Sequence, residues 1–199
     1  MRNYRPLPSR SLTSNTTICR PDPPRPVTLD SPATEVLTDL RHVYAAVIEP
    51  HATMDSANQY MIQRGVRLLL VVNSDKSLAG LITANDIQGE KPMRFVRERG
   101  VKHNEILVSD IMTPQNDLDA IPMTEVASAK VGHILAGLNS TGRHHALAIE
   151  SDAAGRLTVR GIFSLSQIAR QLGVAIQTTE VAKSFAEIEA MLTANSALG

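Results

Sequence analysis

Thr83 and Asp86 stand three residues apart in Gly80-Leu81-Ile82-Thr83-Ala84-Asn85-Asp86, a hydroxyl and a carboxylate placed where an apolar strand turns into a helix. A carboxylate accepts through two oxygens, and the first N–H groups of a helix are free to meet an anion, so such a turn can hold a ribose or a phosphate. An altered copy follows at Gly161-Ile162-Phe163-Ser164-Leu165-Ser166-Gln167. In each copy a glycine lets backbones approach closely, two apolar residues finish a strand, and Thr83 or Ser164 is placed to cap the next helix. The spacing also has a plainer use: Thr83-x-x-Asp86 is close to a helix capping box, and Ser164-x-x-Gln167 fits one outright.

Other side chains able to do chemistry are cations: Arg67, Lys91, Arg94, Arg97, Arg143, His144, His145 and Arg160. Most read as solvated surface charge. Neighbouring strand residues point to opposite faces, so His144 and His145 are not set to share one metal ion, and His42, His51, His103 and His133 show no ligand spacing. No metal site is expected. The chain has no nucleophile elbow, no metalloprotease helix motif and no Walker-type phosphate loop, which argues against an enzyme.

The elements that must position these groups follow from periodicity and punctuation. Ser31-Pro32 reads as an N-cap with proline in the first turn, predicting a short helix to about Leu40. Tyr44 to Ile48 reads as a strand ending at Pro50. Thr53 can cap a helix whose Met54, Ala57, Met61 and Ile62 share a face, with Gly65 as its stop. Arg67 to Val72 is an aliphatic strand, and Asn73 to Lys76 turn it into the strand ending at Ile82. The second half repeats the order: a strand at Leu118 to Ile121, a helix with Ala127, Val131, Ile134, Leu135 and Leu138 on one face, strands at Ala146 to Glu150 and Thr158 to Phe163, and a helix from Ser164 to near Gly173. Pro50 aligns with Pro122, Val72 with Ile149 and Gly80 with Gly161, at offsets that grow along the chain, so the second copy carries the insertions. Two copies of β-α-β-β-α give an α/β (α+β) fold packed with pseudo-twofold symmetry.

Around this duplicated unit, residues 1–30 are rich in proline and arginine without apolar periodicity and read as a disordered arm. Lys91 to Arg99 is a basic helix. Ser184-Phe185-Ala186-Glu187 reads as a capping box for a terminal helix whose Phe185, Ile188, Met191 and Leu192 form an apolar stripe, expected to pack on its own module or, as the sharper reading, to meet a partner. The division is 1–30 arm, 31–105 first unit, 106–178 second unit and 179–199 terminal helix.

Composition limits the partners. At 199 residues, 43% hydrophobic and 20% charged, the chain can build its own core, and zero net charge argues against a general role on nucleic acid or anionic membrane. The longest apolar runs are strand-sized, so no membrane span is expected, and no signal sequence is read at the start. A lone Cys19 excludes an internal disulfide. Cytoplasmic location is the default expectation. Aromatics are 3% with no tryptophan, so a base would be walled by aliphatic side chains, against stacking on single-stranded nucleic acid.

Gly80-Leu81-Ile82-Thr83-x-x-Asp86, the linker Asp110-Ile111-Met112-Thr113-Pro114 and Gly161-Ile162-Phe163-Ser164 together carry a family pattern. Over roughly residues 31–178 the chain resembles a tandem cystathionine-β-synthase-domain (CBS) pair, or Bateman module. The resemblance implies two CBS motifs with clefts between them, frequent pairing of two modules as a homodimer, and regulation through adenosine compounds: AMP, ADP, ATP or S-adenosylmethionine. With no catalytic domain attached, it implies a sensor acting on a protein effector in trans. By this similarity Thr83 contacts ribose or phosphate and Asp86 accepts the ribose hydroxyls. Ile48, Pro50 and Leu70 are placed around the base, and Arg143 and His144 enter the strand flanking the opposite wall. Ser164 holds the matching place in the second copy, where Gln167 departs from the pattern. Gln167 has one carbonyl oxygen where a carboxylate has two, and losing a charge-assisted bond weakens binding about tenfold or more, so one working cleft is expected. The other reading is an empty structural module acting through the terminal helix or the arm.

Overall fold

The computed structural model describes residues 5–19, 27–174 and 181–196. The parts of the expected arm at 1–4 and 20–26, the unit boundary at 178/179 and residues 197–199 lie outside the described residues, as does the Leu192 side chain.

Apolar spacing and caps build the first half. Two short strands, β1 (Thr38–Asp39) and β2 (Val47–Ile48), precede α1 (Met54–Arg64). The Thr53 hydroxyl accepts the Ser56 N–H at 3.2 Å to start α1, and Gly65, at φ 63°, ends it. Met54, Ala57 and Met61 are buried, whereas Ile62 is 72% exposed, so the buried face is narrower than the sequence spacing predicts. β3 (Leu68–Val72) and β4 (Leu78–Thr83) pair antiparallel, followed by α2 (Ala84–Gln88), α3 (Lys91–Arg99) and α4 (Val108–Ile111). Leu69, Val71 and Ile82 face the helices, and Leu68 and Leu70 face the other way.

The second half repeats this after β5 (Thr113–Pro114). It comprises β6 (Ala120–Pro122), α5 (Met123–Ser128), α6 (Val131–Thr141), β7 (His145–Ser151), β8 (Leu157–Ser164) and α7 (Leu165–Gln171). The repeat extends to its irregularities. β3 and β4 slip register just after Val71 opposite Gly80, and β7 and β8 slip just after Ala148 opposite Gly161.

Each sheet takes its fourth strand from chain that precedes the half to which it belongs in sequence. The sheet orders are β2-β3-β4-β5 and β1-β8-β7-β6. β1 therefore completes the second sheet and β5 the first. The helix expected from Ser31 to Leu40 is instead a 3-10 turn at Ala33–Val36 followed by β1, because Ala33 and Val36 are drawn into the second core and the next residues pair with β8. The strand expected from Tyr44 is confined to Val47–Ile48, with Tyr44 96% exposed. Arg160, 13% exposed, ties β1 to the sheet by ion pairs to Asp39 and, at 3.6 Å, to Glu150.

Of the expected arm, residues 5–19 are exposed, and Val27 is buried in the second core. The last helix, α8 (Val181–Ser196), begins before Ser184, so the expected capping box there does not start it. Phe185 and Ile188 of α8 are buried in the second core. Between the two sheets Leu68, Leu70 and Leu147 make a third cluster with Leu81, Leu118, Ala120, Val159 and Ile162. That cluster joins the halves, and the polar cleft opens at its edge.

Candidate functional site

β4 ends on Thr83 and α2 starts immediately after it, so Asp86 folds back over the strand end. Thr83 donates to Asp86 Oδ2 from its backbone N–H at 2.8 Å and from its hydroxyl at 2.7 Å, and the Asp86 N–H donates to Thr83 Oγ1 at 3.2 Å. The capping box is fully formed. The other carboxylate oxygen, Oδ1, meets Lys91 Nζ at 2.6 Å, and the same ammonium donates to the Ile111 carbonyl at 3.1 Å.

Thr83 and Asp86 line a cavity of about 210 Å³ whose far wall comes from the second half, with Arg143, His144 and His145 at the start of β7. Arg67, Asn85, Thr113 and a second carboxylate, Asp119, complete the polar lining, and Leu81, Leu118 and Leu147 supply its apolar part. Asn85 links the walls: its Oδ1 accepts from Arg67 Nη2 at 3.3 Å and its Nδ2 lies 3.1 Å from His144 Nδ1. A guanidinium can only donate, which fixes the amide orientation and makes His144 Nδ1 the acceptor of a neutral imidazole. Burial, then the Arg67 charge, lowers the His144 pKa. His145 is lowered to about 4, by burial first, then by His144 and Arg67, with Asp86 opposing. Arg143 donates to the Asp117 carbonyl at 3.2 Å.

Four of the residues singled out in the sequence thus come together: Thr83, Asp86, Arg143 and His144. The other four do not. Leu70 is spent in the cluster between the sheets, and Ile48 lines a separate surface groove against α1. The Pro50 carbonyl accepts from Ser109 N–H at 3.0 Å. Ser164 lies opposite His145 in the β7–β8 ladder, its hydroxyl 3.1 Å from that of Ser166. The expected Ser164/Gln167 capping box is absent, since Gln167 Oε1 instead accepts the Thr38 hydroxyl at 3.0 Å. The strand β1, arriving from the other end of the chain, has taken that acceptor.

Sequence reasoning missed Asn85 and left Arg67 as one cation among eight. The repeat held the signal: Arg67 immediately precedes β3 as His144 immediately precedes β7, so the two face each other across the pseudo-twofold. The cleft related by that symmetry, about 330 Å³, is lined by Thr38, Tyr44, Arg64 and Ile162 among others, and Arg64 is the one charged residue among those described there.

Comparison with known proteins agrees with this architecture. The family model for the CBS domain matches residues 17–90. No curated protein matches the chain in sequence. Among solved structures, an uncharacterized conserved protein from Pyrococcus horikoshii superposes with a TM-score of 0.53 at 22% identity, covering 77% of this chain and all of that one. CBSX2 from Arabidopsis thaliana, in complex with AMP, gives 0.51 at 18%, covering 70% and 94%. A CBS-domain containing protein from Agrobacterium tumefaciens gives 0.52 at 14%, covering 72% and 94%. Residues 17–90 match the CBS domain, and the chain as a whole has the fold of a CBS pair. The Thr83 turn lies within the matched segment, and the cleft it shares with β7 lies between the two halves of the fold. No helix among the described residues is long and apolar enough to cross a membrane.

Proposed function

We propose that this CBS pair is a non-catalytic sensor that binds an adenosine nucleotide in the cleft between Thr83/Asp86 and Arg67/Arg143/His144, and passes occupancy to a protein partner in trans. The observation that carries the reading is that one polar cavity draws its walls from both halves, with Thr83, Asp86 and Arg67 on one side and Arg143, His144, His145 and Asp119 on the other. The AMP complex of CBSX2 supports the choice of ligand. Asp86 is the ribose acceptor, and the phosphate is met by Arg67, Arg143 and the histidine N–H groups. Pockets that enclose small ligands usually span about 300–1,000 Å³, so a cavity of about 210 Å³ must widen to take a nucleotide. Widening moves one half against the other, and a ligand that favours the wider state shifts that equilibrium. The reading includes a homodimer in the cytoplasm. The alternative that the terminal helix is a free docking element is less supported, because Phe185 and Ile188 are buried in the second core.

The test is a thermal-shift titration with AMP, ADP, ATP and S-adenosylmethionine on the wild type, Asp86→Ala and Gln167→Ala. One ligand is expected to stabilise the wild type, by about 2.7 kcal/mol at ~100 times its dissociation constant. The shift should vanish in Asp86→Ala and persist in Gln167→Ala. No shift with any of the four would leave Thr83 and Asp86 as a helix cap alone.

A further inference from the structure

The Asp86 carboxylate is already engaged. A carboxylate has about four acceptor positions. Two on Oδ2 take the Thr83 N–H and hydroxyl, and one on Oδ1 takes the Lys91 ammonium. About one remains, and a ribose cis-diol presents two donors. The bond from the Thr83 N–H is half of the cap on α2 and the hydroxyl bond packs inside the same box, whereas Lys91, 38% exposed, can swing.

Lys91 also has somewhere to go. Behind Asp86 a second recess of about 330 Å³ shares Thr113 with the nucleotide cavity. Its lining holds three carboxylates, Glu98, Asp110 and Asp117, against two cations, Lys91 itself and Arg94. An ammonium released from Asp86 therefore enters acidic surroundings. The same ammonium also holds the Ile111 carbonyl, one of the contacts between α3 and the segment leading into β5, so a swing away from Asp86 alters that contact.

Resting on the nucleotide reading of the cleft, we propose that Lys91 is an internal competitor for the ribose acceptor: a ligand with a free cis-diol is held only by displacing Lys91 from Asp86, which loosens α3 from the linker to the second half. A ligand with a single ribose hydroxyl needs one acceptor position and leaves Lys91 in place. The competition thus sets affinity, distinguishes ribose from deoxyribose, and connects occupancy to the segment joining the two CBS motifs.

Calorimetric titration of AMP and 2′-deoxyAMP into the wild type, Lys91→Met and Lys91→Arg tests this. The readout is the ratio of the two affinities, since loss of the Lys91 charge acts on both phosphates alike. In Lys91→Met the ratio is expected to rise about tenfold in favour of AMP, the size of one recovered charge-assisted bond, and in Lys91→Arg to stay near the wild-type value. Hydrogen exchange should quicken over residues 91–99 and 106–112 when AMP binds the wild type, and not when it binds Lys91→Met. A ratio unchanged in a folded Lys91→Met would overturn the competition and leave the nucleotide cleft standing. Absence of AMP binding to all three proteins would overturn both.

Discussion

His145 shows how the cleft treats charge. It stands on the first residue of β7, beside His144 and within reach of the Arg67 and Asp86 fields, and burial with two basic neighbours brings its pKa to about 4. Above its ordinary value of 6.5 the imidazole is neutral in both folded and unfolded chains, and the shift has no effect on stability. As pH falls from about 6.5 towards 4 the unfolded chain takes the proton first, so folded stability drops across that window, by on the order of 2 kcal/mol. Urea unfolding at pH 7 and pH 4.5 should show this loss. His145→Asn should reduce it, with the lowered His144 keeping part of the slope, and an NMR titration should place the folded-state midpoint of His145 near 4. At this scale much was legible in the sequence. Thr83 and Asp86 were marked by residue type and spacing, Arg143 and His144 by charge and the family resemblance, and the four do meet. Leu70 was not separable from them, because an aliphatic residue in a strand buried on both faces carries no sign of which face meets the ligand and which the other sheet.

The two repeated glycines have a role at the scale of elements. A Cβ on Gly80 would lie 2.3 Å from the Thr113 carbonyl oxygen of β5, and one on Gly161 would lie 2.6 Å from Leu37 Cδ1 and 3.0 Å from the Thr38 carbonyl of β1. Both mark the place where a short edge strand from the other sequence unit closes a sheet. Backbone cannot retreat as a side-chain tip can. Gly80→Ala is therefore expected to cost about 2–3 kcal/mol and Gly161→Ala about 1–2 kcal/mol, measured by denaturant unfolding. Equal losses would mean that the exchanged strands are held elsewhere. The same exchange explains why the Ser164/Gln167 box failed to form while Thr83/Asp86 did. Both sequences allow the cap, but Gln167 lies under β1 and bonds Thr38, whereas Asp86 folds back onto Thr83 and takes Lys91 on its other oxygen.

Across the whole molecule, the cores follow contacts rather than sequence order. Ile106, Val108 and Ile111 belong to the first core, and Val27, Ala33 and Val36 to the second. A fragment of residues 41–114 contains every buried residue of the first core and all four strands of its sheet. It is expected to fold cooperatively by circular dichroism and thermal melting. A fragment of residues 31–105 lacks β5 and three buried residues and is expected to melt without a cooperative transition, each lost Ile or Val costing about 1.5–3 kcal/mol of burial. Comparable melts for the two fragments would contradict this account of the cores.

By itself the sequence determined the duplicated β-α-β-β-α order, the aliphatic strands, the helix caps at Thr53 and Thr83 and the Thr83/Asp86 side of the cleft. These are local matters of periodicity, propensity and side-chain type. Tertiary structure alone decided that β1 and β5 trade sheets, that Gln167 is taken by Thr38, that Arg67 and Asn85 reach His144, and that Lys91 occupies Asp86. Each of these joins elements whose own patterns are satisfied without the contact, so nothing in either stretch records the partner until the elements pack.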